Sequence, residues 1–116
     1  MVTYNSVLEV IGKTPLIKLN KLASTVKSPL FVKAEFLNPG GSIKDKIGLR
    51  MITQAEIEGK LKPGGTLIEA TAGNTGRGLA LVAAVTVYRC ICVMPDKMSQ
   101  DKINLLKAYG AEVVIT

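Results

Sequence analysis

The chain predicts an α/β fold, a parallel β-α-β-α-β sheet with helices on its faces. Two observations carry that expectation. From residue 43 onward, stretches with helical apolar spacing alternate with apolar runs of strand length. The connections between them are short, which favours a parallel sheet with right-handed crossovers. The 116 residues suffice for one compact unit, and 47% of them are apolar, which excludes a disordered tail. Residues 1–40 read as an N-terminal arm with short extended segments, and residues 41–116 as part of an α/β domain.

In order along the chain, residues 15–19 and 30–34 read as extended segments, separated by a polar linker that ends at Ser28-Pro29. Neither has an evident partner. Ile43, Ile47, Met51, Ile52 and Ala55 recur at the spacing of one helical face, predicting a helix over 43–58 that breaks at Gly59 to Gly65. Thr66-Leu67-Ile68 is a strand. Residues 75–85, rich in alanine and leucine, form a helix, and residues 90–94 form a strand ended by Pro95. Ser99 is placed to cap a helix over 99–109 that Gly110 closes, and residues 112–115 form the last strand.

Composition removes several functions. No apolar run reaches the ~18 residues of a membrane span, and Met1-Val2-Thr3-Tyr4-Asn5 lacks the regions of a signal peptide, so the expected location is cytoplasmic. The net charge of +6 comes from 15 basic and 9 acidic residues that are interspersed, as in Lys44-Asp45-Lys46. No basic cluster with interleaved aromatics is present, so nucleic acid is not expected as a partner. With no histidine, a Ser/His/Asp or Cys/His nucleophile system cannot be built from this chain, and no metal site is expected. Cys90 and Cys92 lie two apart on a strand, on one face and poorly placed for a disulfide, and read as small apolar residues in a reducing compartment.

Two segments could carry chemistry. Asn38-Pro39-Gly40-Gly41-Ser42-Ile43-Lys44-Asp45-Lys46 puts Lys44 just after a glycine turn, with Ser42 able to cap the helix that follows. Desolvation or the positive potential of a helix start lowers a lysine's pKa and makes it a better Schiff-base partner, although first-turn lysines are commonly solvated charges. Thr71-Ala72-Gly73-Asn74-Thr75-Gly76 sets hydroxyls, an amide and small residues at the mouth of the next helix, where free N–H groups attract an anion. A simple packing turn would look similar. The segment is not the dinucleotide fingerprint, because Leu81 stands where a third small residue is required, and no Walker A loop is present.

In order and spacing these two segments resemble those of the fold type II pyridoxal phosphate (PLP) enzymes, the family of cysteine synthase and cystathionine β-synthase. The resemblance runs from Val7 to the last residue and covers about the first third of such an enzyme. Met94-Pro95-Asp96-Lys97-Met98-Ser99 and residues 106–112 extend it, and Tyr88-Arg89-Cys90 leans toward cystathionine β-synthase. The resemblance implies Lys44 as the PLP-binding lysine and general base. Thr71, Ala72, Gly73, Asn74 and Thr75 would hold the substrate α-carboxylate, with Asn74 also bonding the cofactor's ring oxygen. The implied reaction is β-replacement, from serine or O-acetylserine and sulfide or a thiol to cysteine or cystathionine. Homodimers are common in the family.

The departures are equally specific. Ala72 stands where a serine is usual, Arg77 where an aliphatic residue is usual, and Val87 where a glycine is expected. Arg77 would need solvent or an acidic partner, and Val87 would be strained if its φ is positive. The family's phosphate-binding loop and its contact to the pyridine nitrogen belong to a second domain with no counterpart here. The expectation is therefore an incomplete catalyst. The alternative is a non-catalytic folded module associating through an exposed sheet edge or with a complementary C-terminal segment.

Overall fold

The structure, a computed structural model, describes residues 1–71 and 73–116. Strands β1 (Leu16–Lys18) and β2 (Phe31–Lys33) open the chain, followed by helix α1 (Lys44–Ile57). Then come β3 (Thr66–Ala70), α2 (Asn74–Thr86), β4 (Arg89–Met94), α3 (Gln100–Ala108) and β5 (Glu112–Ile115). Two single 3-10 turns, Val7–Val10 and Glu35–Leu37, were not apparent from the apolar pattern.

The early extended segments do have partners: β1 and β2 pair antiparallel with each other, Leu16 opposite Lys33 and Lys18 opposite Phe31. The main sheet is parallel, in the order β3-β4-β5. Sequential strand order with right-handed crossovers sends successive helices to the same face. That face is the core, where Ala80 and Ala83 of α2, Cys90, Cys92 and Met94 of β4, Leu106 of α3 and Ala111 pack together. On the opposite face Ile68 is 68% exposed and Val114 46%.

Helix α1 packs on α2 and differs from its expected face. Ile52 is buried, but Ile43, Ile47 and Met51 are exposed, and the buried residues are Asp45, Gly48 and Ile52. Two glycines cause this. A Cβ on Gly48 would lie 2.6 Å from the carbonyl carbon of Gly78, so the helices cross at near backbone contact and the axis of burial turns toward Gly48. Cys90 and Cys92 are free, buried thiols with sulfurs 4.0 Å apart. Their contact, together with burial, pushes the Cys92 thiol up and keeps it protonated.

Candidate functional site

Lys44 is the first residue of α1 and half-buried. The turn before it is held from several sides. The Gly41 N–H donates to the Asn38 carbonyl at 2.7 Å, and Gly41 adopts φ +79°, a conformation suited to glycine. Ser42 Oγ accepts the Lys44 N–H at 3.1 Å, so Ser42 caps the helix as expected although Ile43 occupies the position just before it. Buried Asn38 ties the turn to the arm: its Oδ1 accepts from the Gly12 N–H at 2.7 Å, and its Nδ2 donates to Glu35 Oε2 at 2.8 Å. Glu35 also pairs with Lys46 Nζ at 2.7 Å, and these bonds from Lys46 and Asn38 lower its pKa.

Asp45 is the residue that sequence reasoning missed. In the sequence it stands only as one of the interspersed charges of Lys44-Asp45-Lys46, yet it is fully buried and accepts the Gly40 N–H on Oδ2. Its Oδ1 has no hydrogen-bond partner among the described residues. Burial pushes its carboxyl up, while the Gly40 N–H and the Arg77 guanidinium hold it down. No periodic signal announces such an inward aspartate, because its partner is a backbone N–H five residues earlier.

The second segment meets the first through glycine. A Cβ on Gly78 would lie 2.5 Å from the Lys44 carbonyl oxygen, which puts the second turn of α2 against the first residue of α1. Thr71 is buried at the end of β3, with its N–H donating to the Val93 carbonyl at 3.0 Å. Its Oγ1 accepts from the Gly73 and Gly76 N–H groups, at 3.3 and 3.2 Å. The Thr71 hydroxyl oxygen thus caps α2 from inside, leaving Gly73, Asn74 and Thr75 on the accessible side, the first two exposed and Thr75 half-buried. Ala72 lies outside the described residues. Arg77 reaches from α2 to the glycine turn, where a Cβ on Gly41 would meet its terminal nitrogen.

A strand-to-helix loop at the carboxyl end of a parallel strand, set against a glycine turn bearing a lysine, is the place where open α/β sheets carry small-molecule sites. Residues 7–116 match the family of pyridoxal-phosphate dependent enzymes, and the chain belongs to that family. It is 56% identical over 112 residues to cystathionine beta-synthase of Mus musculus, covering 95% of this chain and 20% of that protein. Identity to cysteine synthase of Staphylococcus aureus is 51% over 112 residues, covering 97% of this chain and 36% of that one. A solved hydrogen sulfide-producing enzyme from Fusobacterium nucleatum superposes with TM-score 0.95 at 48% identity, over all of this chain and 38% of its own. O-ureido-L-serine synthase superposes with TM-score 0.94 at 43% identity, over 99% of this chain and 36% of its own. The chain thus spans about a fifth to just over a third of the length of these relatives.

Proposed function

We propose that this chain supplies the Schiff-base lysine and the carboxylate-binding loop of a PLP-dependent β-replacement enzyme that makes cysteine or cystathionine from serine or O-acetylserine and sulfide or a thiol. The observation that carries the reading is the packing of Gly78 on the Lys44 carbonyl, which joins the start of α1 to the start of α2. The residues fit the cofactor: Lys44 is half-buried on a capped helix start, and none of the ion pairs among the described residues occupies it. When bound, PLP supplies the electron sink that stabilises negative charge at the substrate Cα.

The work of this chain's residues follows from their chemistry. Lys44 Nζ would hold the cofactor, and its amine would serve as the base for the substrate Cα proton. The first-turn N–H groups of α2 and the Asn74 and Thr75 side chains receive the α-carboxylate, with Gly73 and Ala72 giving it room to approach the backbone. The Thr71 hydroxyl oxygen keeps that loop in shape through its bonds to Gly73 and Gly76. Asn74 also bonds the cofactor's ring oxygen. A second domain or complementary C-terminal segment would grip the cofactor phosphate, with a homodimer in the cytoplasm as the working form we infer.

The test is a PLP titration of the purified chain, followed by borohydride trapping and peptide mapping. A saturable signal with label on Lys44, lost in Lys44→Ala, supports the reading. Label spread over many lysines and unchanged by Lys44→Ala would overturn it for this chain alone. The second reading, a non-catalytic module associating through its exposed sheet edge, is favoured by the exposed Ile68 on β3 and Val114 on β5, the outer strands of the sheet.

A further inference from the structure

Strand β4 sets three sulfurs in a row that the chemistry proposed above does not use. Cys90, Cys92 and Met94 alternate along the strand, so their side chains leave the same face, and all three are buried in one core cluster. The Cys90 and Cys92 sulfurs are 4.0 Å apart, and both thiols are free. A disulfide bond of about 2.05 Å would require them to close by about 2 Å. The central position of β4, hydrogen-bonded to β3 on one side and β5 on the other, holds the two backbone positions apart.

A single bridging ion needs no such movement. With metal–thiolate bonds of about 2.3 Å, the length zinc makes, sulfurs 4.0 Å apart reach one ion at an S–metal–S angle of about 120°, that of a three-coordinate centre. Met94 carries a thioether on a flexible side chain two residues further along, a donor of the same soft class. Access comes from the other end of the row. An open hollow of about 350 Å³ between the ends of α2 and α3 is lined by Ala80, Ala83, Val87, Tyr109 and Cys90, so it leads from solvent to the first sulfur. None of the described residues of 38–46 or 71–76 lines it.

We propose that Cys90, Cys92 and Met94 form a binding site for one soft cation of the Cu(I) class. Thiolate and thioether donors together select such an ion. No group of three or more cysteine, aspartate or glutamate side chains gathers among the described residues, so zinc, which takes four ligands in structural sites, has no donor set of its own. The contact with Cys92 favours loss of the first proton from Cys90, whereas that contact, burial and the charge of Glu69 hold the second on Cys92. Only an ion with high affinity for thiolate displaces that second proton. Both protons pass to solvent as two copper–sulfur bonds form, with no change of oxidation state.

The test titrates Cu(I), kept reduced under anaerobic conditions and buffered by a competing Cu(I) chelator, into the isotopically labelled chain without PLP. Ultraviolet thiolate-to-copper charge transfer and amide chemical shifts follow binding. A single Cu(I) per chain is expected, with shifts centred on residues 90–94 rather than on Lys44 or Asn74. Loss of a supporting partner around a metal site costs about 10–100-fold in affinity, and loss of a thiolate ligand costs at least as much. Cys92→Ala is therefore expected to weaken Cu(I) by at least about a hundredfold, and Met94→Leu by about tenfold. Met94→Leu exchanges apolar side chains of similar volume, so it keeps the test decisive even where Cys92→Ala fails to fold. Absence of charge transfer, unchanged affinity in either variant, or Zn(II) binding as tightly as Cu(I) overturns the proposal, as does copper uptake that occurs only with pairing of two chains. PLP is left out, so the result stands whether or not Lys44 is labelled.

Discussion

Val87 ends α2 at φ 60° and ψ 36°, the left-handed region, and is the sole non-glycine residue with positive φ among those described. Its N–H and that of Tyr88 both reach the Ala83 carbonyl, so the helix cap dictates the backbone, and a β-branched side chain is strained there. The strain costs about 1–2 kcal/mol, and 81% exposure means that almost no packing offsets it. Val87→Gly relieves the strain while adding freedom to the unfolded chain, for a net gain of about 0.5–1 kcal/mol. A thermal melt should rise by about 3–6 °C; an unchanged or lower midpoint would show that the cap is not strained. Asp45 sets a second expectation. Its folded pKa is raised, so the folded state binds more protons, and its contribution is full below the unfolded pKa and fades as pH rises through the folded value. Glu35, Glu58 and Glu112 are lowered and act in the opposite sense, losing their contribution as pH falls. Asp45→Asn removes only the first effect, so urea melts should show the variant gaining on the parent as pH rises above the ordinary aspartate value of about 4. A difference that does not change with pH would mean that Asp45 titrates alike in both states.

Helices and strands after residue 43 were legible because their apolar periods and end signals agree. Gly110 closes α3 at φ +83°, and Ser99 occupies the cap position as expected, although its side chain makes no capping hydrogen bond. What was not legible depends on contacts distant in sequence. The pairing of β1 with β2 joins two three-residue strands across a polar linker, too short for alternation to register. The buried face of α1 was misplaced because apolar spacing cannot show that Gly48 and Gly78 draw two helices together. Of the candidate site, Lys44 and the Thr71 loop were readable as motifs, whereas Asp45 and the inward role of the Thr71 hydroxyl depend on backbone N–H groups that no side-chain pattern reports. The glycine contact is itself testable. Gly78→Ala gains about 1 kcal/mol of helix propensity, but the added methyl meets the Lys44 carbonyl at 2.5 Å, a backbone atom that no rotamer change can move. At a backbone contact the cost of overpacking falls toward the upper end of about 1–3 kcal/mol, so a net loss of up to about 2 kcal/mol is expected in denaturant melts, with weaker PLP labelling of Lys44. A variant as stable as the parent would show that the two helices can separate without cost.

At the scale of the whole molecule, the Cα radius of gyration is 16.9 Å and the principal extents are 51 × 36 × 26 Å. A compact domain of this length would have a radius of about 13 Å, so much of the chain lies away from the core. The β1–β2 pair is exposed at every residue, Phe36 and Leu37 stand out from the 3-10 turn, and the sheet shows Ile68 and Val114 on its uncovered face. Parallel strands are ordinarily covered on both faces, because their hydrogen-bonding edges and apolar side chains are otherwise left to other chains. The chain alone should therefore self-associate, with a sedimentation coefficient that rises with protein concentration. Placing lysines at Ile68 and Val114 charges the face and the β5 edge together without removing a strand hydrogen bond, as natural proteins do at exposed edges. The Ile68→Lys, Val114→Lys double variant should stay monomeric at concentrations where the parent associates, with unchanged far-UV circular dichroism. If it associates as readily as the parent, the contact lies on the arm instead, and the sheet-mediated module fails as a description of this chain.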